Sequence, residues 1–407
     1  MIKHKNLKVN LKKIISEMAQ DARSFSKRPG KDFSRNSKLN FEKTVSILLA
    51  MHGKSISKEL LKFFNYKKDI PDVSSFVKSK EKLAPHTLQT LFKRFVSVCE
   101  DCLLETYKSF RLLAVDGSDF QIPQNKKSLH LNALYDIQNK FYVEAIAANL
   151  TDCDERSALL QMLRCSDIKS AILLADRGYE GYNMLTQIQE KGWKYLVRVR
   201  DGVKGIVQGL DIPETEEFDV DFNVKLTRHG DKFLKKYICS KKKADGVDFL
   251  NFSFRLVRFK ISDRKIETVI TNLDRGNFSP EELKKLYNMR WGIETSFRDL
   301  KHTIGAIKFH SKKEEQARHE IFAGLIMYNF SALISSKAEL KIGRRQRKYE
   351  YKASFSEAVA ICKEYFLGKI KLTDAEVLIG KFIIPVRNGR SYERKKHPKK
   401  KVSFTYR

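Results

Sequence analysis

Three acidic residues keep company suited to chemistry on metal ions and phosphate. Asp116 and Asp176 each follow a short, continuous apolar run, Leu112–Val115 and Ala171–Ala175. Such runs read as buried strands that stop at the aspartates, and the carboxyl ends of strands are where open α/β sheets place their sites. A hard divalent cation needs carboxylate oxygens, and two neighbouring strand ends can bring both within reach. Taken singly, an Asp-Gly after a strand is more often a turn. Asp119 points to the opposite face if the strand continues, which ranks it as a turn residue or one that supports the ligands from behind.

The third acid is predicted on a helix. In LYNMRWGIETSFRDLKHTIG, the residues Tyr287, Arg290, Glu294 and Lys301 are spaced three, four and seven apart. At about 100° per residue they fall within an arc of roughly 60° on one helix face. A stripe that met a core would be apolar. One carboxylate flanked by two cations and a phenol suggests instead a ligand carrying both metal and phosphate. Arg290 has a plainer alternative, pairing with Glu294 one turn away.

Together, VDGS at 115–118, ADRGY at 175–179 and Tyr-x2-Arg-x3-Glu-x6-Lys at 287–301 resemble the DDE transposases of bacterial insertion sequences, specifically the insertion-sequence-four family with its YREK signature. The similarity spans about residues 110–305, with a looser resemblance in SSFVKSKEKL near the N-terminus. It implies a ribonuclease-H-like core in which Asp116, Asp176 and Glu294 are the catalytic residues and hold two Mg²⁺ ions, with Mn²⁺ able to substitute. It further implies that Tyr287, Arg290 and Lys301 hold the terminal phosphate of a cleaved strand. Trp291 fills a position often aromatic near the DNA end, with core packing as the alternative.

The implied partners are double-stranded DNA, as transposon terminal inverted repeats and as target, and a second copy of the chain in the DNA complex. The implied reaction is cleavage by water at the transposon end, then attack of the exposed 3′-hydroxyl on target DNA, both at one site. Relatives carry a base-stacking aromatic in a β insertion, and none of Tyr237, Phe249, Phe252 and Phe254 is identifiable as its equivalent. Two rival readings are a non-catalytic DNA-binding derivative and a nuclease of the same fold that cuts without strand transfer.

The elements that must position these residues follow from apolar periodicity. Residues 1–105 read as a helical, basic DNA-binding domain, with Val45, Leu48, Leu49 and later Leu60, Leu61, Phe64 at helical spacing and two helices over 74–83 and 85–98. Residues 106–310 read as the α/β core. Its strands are predicted at 112–115, 140–149, 171–175 and 195–199, and a helix at 182–191. A β-rich stretch at about 203–273 is either an insertion or an extension of the sheet, with runs at 218–226, 237–240, 249–261 and 266–273. Ser279, Pro280 and Glu281-Glu282 open a helix expected to run to about Thr303, before Gly305. Residues 311–407 read as a helical C-terminal region, with helices at 315–338 and 355–368 and a basic tail.

A total of 79 Lys plus Arg against 49 Asp plus Glu gives a net charge of +30. That excess favours a polyanionic partner, since each neutralised phosphate releases counterions. It concentrates at the ends: residues 1–100 carry 22 basic against nine acidic residues, and 387–407 nine against one. The runs Arg394–Lys396 and Lys399–Lys401 read as nucleic-acid contacts or as solvated surface. No stretch of about 18 apolar residues occurs, which sets the expectation of a cytoplasmic, nucleoid-associated protein with no membrane partner. Six irregularly spaced cysteines suit reduced thiols. Cys99 and Cys102 form a CxxC without a second pair or suitably spaced histidines, and read as core thiols on a helix.

Overall fold

The computed structural model describes residues 7–386 except 52, 103, 123–127, 201–204, 228–248, 263–264, 307 and 343–349. The C-terminal basic runs, Tyr237 and the strand expected at 237–240 lie outside the described residues.

The sheet grows from the apolar run at 112–115. Strand β1 (Arg111–Gln121) pairs with β2 (Ser128–Asp136) along most of its length, with Asp116 opposite Ala133 and Gln121 opposite Ser128. On its other edge β1 runs parallel to β4 (Ala171–Ala175), and that pairing ends at Ala114–Leu174. The expected strand end at Asp116 is therefore corrected. Hydrogen bonds from β2 carry the strand five residues further, because an extended backbone persists where a neighbour satisfies it. Beyond Ala114, β1 and β4 part, and Asp116 and Asp176 stand on the two sides of the divergence.

Strand β3 (Phe141–Ala148) pairs antiparallel with β2, and β5 (Lys194–Arg198) runs parallel to β4. The order β3-β2-β1-β4-β5, antiparallel on one side of β1 and parallel on the other, is the ribonuclease-H-like core. Strands β6 (Phe218–Thr227), β7 (Phe249–Ser262) and β8 (Lys265–Thr271) join the same sheet, in the order β5-β8-β7-β6. The β-rich stretch is thus an extension of the sheet. Phe252 and Phe254 are buried there against Tyr182, while Phe249 is exposed beneath the Lys225 ammonium.

Helices α1 (Leu7–Gln20), α2 (Phe41–Ala50), α3 (Ile56–Phe63), α4 (Val73–Lys80) and α5 (Thr87–Glu100) precede the sheet. Cys99 is buried on α5, and Cys102 is buried just beyond its end. Helices α6 (Glu155–Cys165) and α7 (Tyr182–Glu190) follow β3 and β4, and α8 (Pro280–Met289) and α9 (Trp291–Asp299) follow β8. The 29-residue α10 (Glu314–Ile342) has apolar residues on every side, as a helix surrounded by protein must. By length and composition it could cross a membrane, but 89% of its most apolar stretch is buried inside the protein.

Helix α10 joins the two ends of the chain to the sheet. Asn329 receives a hydrogen bond from the Tyr142 amide and donates one to the Tyr142 carbonyl, each 2.8 Å, and so satisfies the open edge of β3 as a strand would. Glu320 accepts from Lys80 Nζ at 3.1 Å and from His310 Nδ1 at 3.1 Å, and His319 Nε2 donates to the Ala84 carbonyl at 3.0 Å. Helices α11 (Phe355–Phe366) and α12 (Leu372–Lys381) pack on it, and one apolar core runs from Leu7 to Ile379.

Candidate active site

Asp116 sits on β1 beside the divergence, its Oδ1 accepting from the Gly117 amide at 2.9 Å. Asp176 ends β4 and caps a single 3₁₀ turn, Arg177–Tyr179, with Oδ1 accepting from the Gly178 amide at 2.8 Å. Burial raises the Asp116 carboxyl to about 6, aided by the charges of Asp176 and Glu294 and opposed by the Gly117 amide and Arg290. The three acids, distant in sequence, are therefore electrostatic neighbours.

Glu294 comes from α9. The single helix expected over 280–303 is interrupted. Ser279 caps α8 through the Glu282 amide, with Pro280 in the first turn, and α8 ends at Met289. At Arg290 the backbone tightens to three-residue bonding: the Arg290 amide reaches the Tyr287 carbonyl, and the Ile293 amide the Arg290 carbonyl, both at 3.1 Å. After α9 the chain widens into a π turn, Leu300–Ile304, closed by Gly305 at φ 91°. A uniform 100° per residue does not survive those two changes of pitch.

Arg290 stays with the acids. Its Nη2 donates to Glu294 Oε1 at 2.9 Å, and Nη1 lies 3.9 Å from Asp116 Oδ2. The guanidinium is 5% exposed and lies 5.7 Å from the Tyr287 ring centre and 5.2 Å from that of Trp291. Tyr287 is buried behind it, and the Tyr287 hydroxyl and Arg290 Nε have no hydrogen-bond partner among the described residues. Trp291 is 46% exposed, which removes the core-packing alternative. Lys301, on the π turn, has its Nζ 5.0 Å over the Phe120 ring. Burial lowers its pKa, and the nearby Asp119 opposes that.

Residues that the sequence pattern did not single out complete the surroundings. His130 on β2 approaches Asp119 Oδ1 through Nδ1 at 2.8 Å and Glu155 Oε1 through Nε2 at 3.1 Å. Burial pulls the imidazole pKa down, but the bonds to Glu155 and Asp119 outweigh it and hold it above its ordinary value. Tyr179 is 1% exposed; its hydroxyl has no partner among the described residues and feels Glu155, Asp116 and Asp176. The available signal was the glycine after Asp116. Gly117 is not in a turn: a methyl there would stand 2.2 Å from His130 Nε2 and 2.7 Å from Glu155 Oε1.

Among the described residues, no three His, Cys, Asp or Glu side chains are gathered closely enough to hold a metal ion as they stand. The donor chemistry nonetheless fits a hard cation: carboxylate oxygens from β1, the end of β4 and α9, with like charges crowding a partly buried Asp116. Arg290 supplies a positive charge between two of them.

A solved structure of the piggyBac transposase synaptic complex with hairpin DNA is similar at 12% identity, with a TM-score of 0.47, covering 96% of this chain and 86% of that one. No curated protein sequence matches. A family model described as the transposase DDE domain matches residues 107–330, more than half of the chain and the whole interval that holds the three acids, so this chain belongs to the transposase DDE domain family.

Proposed function

We propose that the chain is the transposase of an insertion-sequence-four-type element of the YREK group, with Asp116, Asp176 and Glu294 as its metal ligands. The observation that supports the assignment is Arg290, which bonds Glu294 and lies 3.9 Å from Asp116, beside the point where β1 and β4 part, with Asp176 near enough to raise the Asp116 carboxyl. Two Mg²⁺ ions bound there, replaceable by Mn²⁺, supply activation of an oxygen nucleophile and relief of charge on the leaving oxygen.

The chain's own residues do the rest. The Gly117 and Gly178 amides fix one oxygen each of Asp116 and Asp176, leaving the second oxygens to turn toward a ligand. Arg290 offers a fork of donors suited to a phosphate, and the Tyr287 hydroxyl and Arg290 Nε, without partners among the described residues, provide further donors behind it. Trp291 presents an exposed indole to the DNA end, and Lys301 meets the strand further along β1 as a single positive charge. No Ser, Tyr or Cys nucleophile is required if water attacks first and the exposed 3′-hydroxyl second.

The substrates are the terminal inverted repeats and target DNA, the basic charge supplies non-specific affinity, and joining two ends calls for two copies of the chain. The protein acts in the cytoplasm on nucleoid DNA. The test incubates the full chain with labelled transposon ends, supercoiled target and Mg²⁺. Strands joined to target are expected; cuts without joining indicate a nuclease, and binding without products a non-catalytic derivative.

A further inference from the structure

Glu155 stands between the two segments that carry the aspartates, pressed on one and facing the other. Its Oε1 approaches the α-carbon side of Gly117, the residue after Asp116, where even a methyl would come within 2.7 Å. Its Oε2 faces Gly178, two residues after Asp176, at 3.6 Å from the position a methyl would take. The neighbouring Arg156 donates from Nε to the Gly178 carbonyl at 2.8 Å, so the start of α6 is fastened to the same turn. Glu155 is in turn held: His130 bridges it to Asp119, which stands opposite His130 in the β1–β2 register. The buried Tyr179 hydroxyl, without a partner among the described residues, feels the charges of Glu155, Asp116 and Asp176.

We propose that Glu155, braced by His130 and Asp119, is a positioning residue of the reaction: it sets the spacing of the two segments that bear Asp116 and Asp176. Those segments belong to β1 and β4 beyond Ala114–Leu174, where no backbone pairing joins them. Glu155 pressed on Gly117 and facing Gly178, with Arg156 bonded to the Gly178 carbonyl, spans the gap left by the missing ladder, and it does so only while the Glu155 rotamer is locked from behind. Groups that orient metal ligands affect affinity almost as strongly as the ligands do. This inference rests on the reading of Asp116 and Asp176 as ion ligands.

The experiment measures Mn²⁺ binding to the full, DNA-free chain by electron paramagnetic resonance, together with single-turnover cleavage of labelled ends and end-binding affinity. Glu155→Ala is expected to raise the Mn²⁺ dissociation constant by about tenfold or more and to slow cleavage in parallel, with end binding unchanged. Glu155→Gln keeps the volume and an acceptor for His130, and should recover most of both losses. His130→Ala, which frees Glu155 and also opens the space over Gly117, should resemble Glu155→Ala. Unchanged Mn²⁺ affinity in Glu155→Ala, or a Gln variant no better than Ala, overturns the positioning role. Asp116→Asn distinguishes the two levels: if it binds Mn²⁺ like the wild type, the ligand assignment itself fails. If it loses Mn²⁺ while Glu155→Ala does not, the positioning role alone fails.

Discussion

Asp116 is held in a state that disfavours its own charge. A carboxyl raised to about 6 from 3.8 binds a proton more readily folded than unfolded, so its contribution to stability is present below about 3.8 and is lost as pH rises through 6. At neutral pH the charged group therefore opposes folding until a cation offsets it. Asp116→Asn should stabilise the metal-free protein at pH 7.5 by on the order of 1–2 kcal/mol and abolish Mg²⁺-dependent cleavage, the usual conflict between a site and its scaffold. Thermal melts in EDTA, paired with a cleavage assay, check it, and a variant that melts lower than wild type would count against the electrostatic account. Arg290 makes a different prediction, because it bonds Glu294 as well as facing Asp116. If its work is on phosphate, Arg290→Ala should weaken end binding and strand transfer more than Arg290→Lys. It should also reduce the log-log salt slope of end binding by up to about one unit. Wild-type cutting and joining by the Ala variant would leave it only its helix pairing with Glu294.

Elements decide which of these side chains meet. Apolar runs at 112–115 and 171–175 revealed the two central strands, and Ser279-Pro280 revealed the start of α8, since burial and capping are local properties. What the pattern could not reveal was the partner of each strand. The run SLHLNALYD carries polar His130 and Asn132 at buried positions and does not read as a core strand, yet β2 extends β1 past Asp116 and brings His130 to Glu155. The break at Arg290 and the π turn at 300–304 are equally hidden, because a periodicity argument assumes constant pitch. Arg290 meets Asp116, Glu294 and the Tyr287 ring despite this, while Lys301, on the π turn, lies over the Phe120 ring. Gly305 fixes that last turn. Its φ of 91° places it where a β-carbon is strained, and its amide bonds the Leu300 carbonyl. Gly305→Ala should cost about 1 kcal/mol of stability and shift Lys301, readable as a lower urea midpoint and weaker end binding with Mn²⁺ affinity intact. No change in the midpoint would mean that the turn relaxes freely.

Across the whole molecule, the helical ends and the sheet share α10, and the polar groups buried along it make that junction sensitive to acid. His319 is buried with Nε2 donating to the Ala84 carbonyl, and burial lowers its pKa to about 4. Its unfolded value is near 6.5, so the unfolded chain binds the extra proton first. The neutral ring's contribution is complete above about 6.5 and declines as pH falls toward 4. Glu320 titrates in a lower window. Burial pushes its carboxyl up, but Lys80 and His310 outweigh that and hold it near 2, so its contribution is lost only below about 4.5. The two residues are adjacent on α10 yet separable by pH. Between pH 7.5 and 5, His319 should account for a loss on the order of 2 kcal/mol in the wild type, which His319→Gln should largely abolish because an amide can keep the bond to Ala84 without titrating. Urea unfolding of both proteins at the two pH values measures the difference. Equal losses would show that the His319 ring finds room or a counter-charge when protonated, and that acid opens the molecule somewhere other than the seam between α10 and the segment that begins α5.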